Sequence, residues 1–207
     1  MAGPVSHIVY AEKALQDFLP EKDKRQFAIG NIFPDIRYLG VIDRELTHFK
    51  DVTLKDIHKE ADSFRAGMLF HSIIDETREA FVLKHDSYSG LPDSHLSTIA
   101  LKVCEDIRLY HEVQDWHVYI DYLKTIEPEE RAFNIPTERI EEWHAMHRAF
   151  FADFPPNEDN KFFFALGFNK QQVSEIFDLV KIIIQSNIVD NYLYNFYDNL
   201  EQLLAEQ

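Results

Sequence analysis

The sequence predicts an all-α fold, and three observations lead there. Apolar residues recur at steps of three and four through most of the chain, the spacing that lines one face of a helix. Alternating runs of Val, Ile and Thr, which a large sheet would need, are not evident, and only 6 glycines are present. The densest turn chemistry, DSYSGLPDSH at residues 86–95, falls between periodic stretches. With 207 residues, 45% of them hydrophobic and 17 of them Phe, the chain can bury a substantial core. No internal repeat or linker-like composition is visible, so residues 1–207 read as a single multi-helix domain.

In chain order, Ser6 is the expected cap of a first helix running to about Phe18, with His7, Tyr10, Ala11, Ala14, Leu15 and Phe18 inward. A second helix is expected from Glu21 to Gly30, because Gly30 and Asn31 terminate well and Pro34 disfavours helical geometry at Phe33. The stretch to His48 reads as an ordered loop with a short turn at Asp43–Leu46, carrying Asp35 and His48 inward. Thr53 and Asp56 have capping-box spacing, and a helix from there is expected to run to His85, with Gly67 marking a kink or a close helix contact. Further helices are expected over Ser94–Tyr110, Gln114–Ile126 (ended by Pro128), Glu138–Phe154 and Lys170–Ala205, the last with a bend near Asn187.

Charge and composition narrow the function classes. The formal net charge of −15 repels nucleic-acid phosphates, so no stable nucleic-acid binding is expected. A metal could still supply local positive potential for a phosphoester. No apolar run approaches the roughly 20 residues that span a bilayer. A single cysteine, Cys104, excludes an intrachain disulfide, and no signal-peptide pattern is visible, which leads to a cytoplasmic expectation.

The stretch Phe64–Val82 carries the chemistry. Phe64, Gly67, Met68, His71, Asp75, Arg78 and Val82 share one helical face, so an imidazole and a carboxylate sit one turn apart in an apolar stripe. Burying them unpartnered would cost roughly 2–7 kcal/mol per group, so the interior must satisfy them, and a divalent metal is one candidate. Spacing alone does not single them out. About two His-x-x-x-acid pairs are expected by chance, and four occur, at His58/Asp62, His71/Asp75, His111/Asp115 and His117/Asp121.

Four motifs in order add to this: His7 in GPVSHIVYAEKAL, Asp35 in FAIGNIFPDIRY, the dipeptide His48-Phe49, and the helix Gly67-x-x-x-His71-x-x-x-Asp75. Over about the first 85 residues the chain thereby resembles the zinc-dependent phospholipase C family, which shares its helical fold with fungal single-strand nucleases. The resemblance implies that Asp35, His48, His71 and Asp75 ligate one zinc ion and that His7 binds a second, with Asp75 bridging. It further implies that Asp35 acts as base toward the attacking water, on a phosphoester or phospholipid substrate. The chain departs from secreted members in beginning Met1-Ala2-Gly3, where they carry a zinc-ligating N-terminal Trp, and the resemblance therefore implies one or two ions rather than three. Any further site would draw on His117/Asp121 with His85, His95 or His111.

Blander readings stand beside these. His71/Asp75 as a buried pair locking helix packing is the structural alternative. Asp35 after Pro34 suits a turn, and His48 an ordinary loop. His58/Asp62 reads as a surface pair, His144 and His147 as packing residues, and the acids from Glu127 to Glu142 as a solvated face. Arg78 is a candidate for orienting a ligand carboxylate or a substrate phosphate, or for a plain ion pair. Functional alternatives are an HD-domain phosphohydrolase, suggested by His85-Asp86 with His58 or His71 and Asp121, and a non-catalytic helical interaction module.

Overall fold

The computed structural model describes residues 2–207, and among them it contains helices and turns but no strand. The all-α expectation is met. The chain opens with α1 (Pro4–Asp17), whose N-cap is Gly3 rather than Ser6. Pro4 suits this position because its missing N–H would be an unsatisfied helix-end donor anyway. Ser6 instead lies within the first turn, where Asp106 caps the helix from a distant element. Its carboxylate accepts from the amides of Val5 (3.3 Å) and Ser6 (2.8 Å) and from the Ser6 hydroxyl (2.6 Å). A cap 100 residues away leaves no local signature, which is why the sequence pointed to Ser6.

Helix α2 (Lys24–Ile32) starts at an Asp23 cap and runs two residues past the expected stop at Gly30. Gly30 is there for packing. A Cβ on it would overlap the Phe64 carbonyl, and one on Gly67 would overlap the Phe27 carbonyl. These two glycines let α2 and α4 (Ser63–Lys84) approach backbone to backbone. Between them, a 3-10 turn over Phe33–Leu39 stands where loop was expected, and the short turn expected at Asp43–Leu46 is a second 3-10 turn over Arg44–Leu46. The capping box at Thr53 and Asp56 is present, but it opens a short helix, α3 (Leu54–Lys59). Glu60 turns extended and Asp62 caps α4 afresh, so the expected unbroken helix to His85 is two helices.

Residues 86–95 form turns, leading to α5 (Ser97–Leu109). After α6 (Trp116–Tyr122), Pro128 begins a short helix, α7 (Pro128–Arg131), instead of merely ending one. The acidic stretch beside it is not all solvated: Glu127 and Glu130 are buried, and Glu130 accepts from His144 Nε2 at 2.7 Å. Helix α8 (Thr137–Ala152) precedes α9 (Lys161–Ala165), which falls between two expected helices where none was expected. The C-terminal region divides into α10 (Lys170–Ile183), α11 (Leu193–Asp198) and α12 (Leu200–Ala205), with the break from 184 to 192 around the expected bend.

Helix α1 is the hub. It lies against α2, α4, α5 and α12, while α5 packs on α10 and α8 packs on α6, α9 and the Phe33–Leu39 turn. The start of α1, the middle of α4 and the Asp35 turn consequently meet inside the molecule.

Candidate metal centre

Each candidate ligand arrives on its own element. His7 comes from the second turn of α1, Asp35 from the 3-10 turn, His48 from the segment just after Leu46, and His71 and Asp75 from successive turns of α4. His7, His48, His71 and Asp75 are buried and Asp35 is half-buried. Two overlapping groups form, His7/His71/Asp75 and Asp35/His48/His71, each with its donor atoms within 4.8 Å of one another, and each could hold a metal ion. All five residues singled out from the sequence are brought together.

Hydrogen bonding fixes which ring nitrogens face the centre. His71 Nδ1 lies 2.8 Å from the Asn31 carbonyl, which only accepts, so Nδ1 carries the proton and Nε2 presents a lone pair. The Thr47 hydroxyl lies 3.0 Å from His48 Nδ1 and also reaches the carbonyls of Pro34 (3.2 Å) and Arg44 (3.3 Å). When it donates to a carbonyl it accepts from His48 Nδ1–H and leaves His48 Nε2 with a lone pair; when it donates to Nδ1, His48 Nε2 carries the proton. The His48 and His71 Nε2 atoms face each other at 3.2 Å, a spacing that either an Nε2–H of His48 donating to His71 or a cation beside both lone pairs accounts for. A proton is a poor candidate on His71, because burial, and after it the neighbouring His7, push its pKa down to about 4.

The spacings are those of ligands around a metal ion. Two ligands about 2.0–2.1 Å from an ion at the tetrahedral angle stand roughly 3.3 Å apart. The observed edges are 3.2 Å for His48–His71, 3.5 Å for His71 Nε2–Asp75 Oδ2, 3.4 Å for His7 Nε2–Asp75 Oδ1 and 3.7 Å for His48 Nε2–Asp35 Oδ1. The two oxygens of Asp75 point to different histidines. Ring stacking holds the arrangement: His7 lies parallel to His71 with centroids 4.1 Å apart, and His48 meets His71 edge-on at 4.9 Å. The Ala2 amide donates to Asp75 Oδ1 at 2.7 Å, and His7 Nδ1 is buried with no hydrogen-bond partner among the described residues.

The carboxylates are electrostatically matched to a cation. Burial pushes Asp75 upward, but the neighbouring imidazoles of His71 and His7 take it well below the usual range. Asp35 follows the same pattern: burial raises it, and the adjacent imidazoles of His48 and His71 bring it down overall. Arg37, 3.5 Å from Asp35 Oδ1, is the nearest cationic side chain to that carboxylate.

Other candidates fall away from the centre. His85 is exposed at the end of α4, its Nδ1 held by the Phe81 carbonyl at 2.8 Å, and Asp86 follows in a left-handed conformation at φ 52°. Asp121 pairs with Lys124 on the surface, and His117, His95 and His111 join no metal-ligating group among the described residues. The HD-type constellation is therefore not assembled. His58 and Asp62 are exposed, Asp62 serving as the α4 cap. Arg78 turns away from the metal pair to a bidentate contact with Glu105, at 2.8 and 3.1 Å, which Tyr192 also joins. His144 and His147 are buried, as packing residues would be.

A cavity of about 150 Å³ opens beside the centre. Its walls include His7, Asp35 and His71 on one side and Trp143, Phe150 and Phe162 on the other. Sequence reasoning missed this second wall, because it comes from α8 and α9, far along the chain. It also missed Thr47 and the Asn31 carbonyl, whose roles depend on tautomers rather than residue type. No protein-family model, curated protein or solved structure matches the chain.

Proposed function

We propose that the protein is a zinc-dependent phosphodiesterase of the phospholipase C kind, hydrolysing a phosphoester or phospholipid. The observation that carries this reading is the convergence of His7, Asp35, His48, His71 and Asp75 from separate elements, with neighbouring ligand-type atoms 3.2 to 3.7 Å apart. Asp35, His48 and His71 would hold one ion, and His7 and Asp75 with the shared His71 mark a second position, so Asp75 falls with His7 rather than with Asp35 and His48 as the resemblance implied. Zinc so held supplies Lewis acidity for a phosphoryl oxygen and lowers the pKa of water toward 7.

The chain's own residues do the rest. Asp35 stays ionised, being held below the usual carboxylate range, and it lines the cavity, so it can take the proton of the attacking water. The Asn31 carbonyl locks His71 in the tautomer that presents Nε2, and the Thr47 hydroxyl holds His48 through Nδ1, the outer-shell role that carbonyls and hydroxyls take around metal-binding histidines. Trp143, Phe150 and Phe162 add apolar lining to the cavity beside the cluster.

A panel of bis(4-nitrophenyl) phosphate and phosphatidylcholine vesicles tests catalysis. Turnover by zinc-loaded protein that chelation abolishes is the expected result. A fully metallated protein that turns over neither would point to a non-catalytic helical module.

A further inference from the structure

The cavity beside the metal cluster has two features that the hydrolase reading does not use. One is its size and lining. About 150 Å³ is the volume at which an apolar protein cavity takes up a benzene-sized guest. Trp143, Phe150, Phe162, Phe163 and Phe168 contribute aromatic surface, which favours a planar ring through edge and face contacts. The other is polar. Lys102 of α5 lines the same cavity half-buried, and it makes no ion pair among the described residues despite the chain's net charge of −15.

We infer that this cavity selects the organic group of the substrate, a compact aryl-sized ring joined to phosphorus through or beside an oxygen, while Lys102 neutralises an anionic oxygen of the phosphoryl group. A long acyl chain does not fit in a space of this size, so phosphoesters of small aromatic groups are preferred over lipids. The inference rests on the hydrolase reading for the phosphoryl half of the ligand, whereas the fit of the ring depends only on the cavity.

The test separates the two. Benzene is titrated into the protein as purified and after chelation, and the methyl resonances of Ile32, Ile99, Val103 and Leu166, which line the cavity, are followed by NMR. Phenyl-, methyl- and octylphosphonate are then titrated calorimetrically into zinc-loaded protein. Benzene should shift those methyls in both forms. Phenylphosphonate should bind at least about tenfold more tightly than the methyl compound, since apolar burial scales with area, and octylphosphonate should not exceed it. Lys102→Met should weaken phenylphosphonate roughly tenfold and leave benzene uptake unchanged. Equal affinity for the methyl and phenyl compounds, tighter binding of the octyl compound, or no benzene uptake would overturn the assignment of the ring site. An unchanged phenylphosphonate affinity in Lys102→Met would overturn the role of the lysine. Benzene uptake in a protein that binds no zinc would uphold the ring site and sink the hydrolase reading instead.

Discussion

Thr47 is the residue on which the protonation pattern of the cluster turns. It is fully buried, and its hydroxyl, which also reaches the carbonyls of Pro34 and Arg44, is the hydrogen-bond partner of His48 Nδ1. Thr47→Val keeps the shape and removes that partner. Competition with a chromogenic chelator should show zinc affinity falling by roughly tenfold to a hundredfold, the usual effect of losing such an outer partner. An unchanged affinity would mean that His48 is not a ligand. His147 makes a separate prediction. Burial pushes it down to about 4, against the pull of its bond to the Trp143 carbonyl, while the unfolded chain titrates near 6.5. Between those values the unfolded state binds a proton that the folded state refuses. The stability contribution is therefore whole above about 6.5 and is lost as pH falls toward 4, by up to about 3 kcal/mol. Urea midpoints measured across that window should fall more steeply for wild type than for His147→Gln, and parallel slopes would contradict the assignment.

The α2–α4 crossing is the element that sets the cluster's geometry. Asn31, whose carbonyl orients His71, follows Gly30 directly, and His71 lies one turn beyond Gly67. Gly67→Ala should thus cost on the order of 1–3 kcal/mol by overpacking and also weaken zinc binding, as read by urea denaturation and chelator competition. Gly90→Ala is the control, because its Cβ would meet only the flexible end of Ile188, at 3.1 Å, and stability should change by about 0.5 kcal/mol or less. This crossing also shows what sequence can carry. The stripe from Phe64 to Val82 was legible as a buried face because helix periodicity is local, and His71 and Asp75 were legible with it. Gly67 as a close contact followed from the same pattern, but its partner Gly30 looked like a terminator, since a packing glycine and a capping glycine have the same letter. Asp62, taken for a surface acid, is a cap that splits the expected helix. Pro128 had the same ambiguity, being equally suited to end one helix or to open the next.

Across the whole molecule, the site unites residues from the first 75 positions while its apolar wall comes from residues beyond 140. The first part is a run of motifs in chain order and could be read from sequence. The second is a product of how α8 and α9 fold back, and no local pattern announces it. A cation that binds only the folded state also stabilises the whole chain. Chelation should lower the melting temperature by roughly 5–11 °C for an ion present at a hundred times its dissociation constant, equivalent to about 2.7 kcal/mol. An identical melting curve with and without chelator would be hard to reconcile with a metal bridging four elements. The most direct test of the central claim is the zinc content per chain of purified wild type, His71→Ala and His85→Ala, measured by elemental analysis. One or two zinc ions per chain in wild type and His85→Ala, with almost none in His71→Ala, is the predicted result. Zinc retained by His71→Ala and lost from His85→Ala would contradict it.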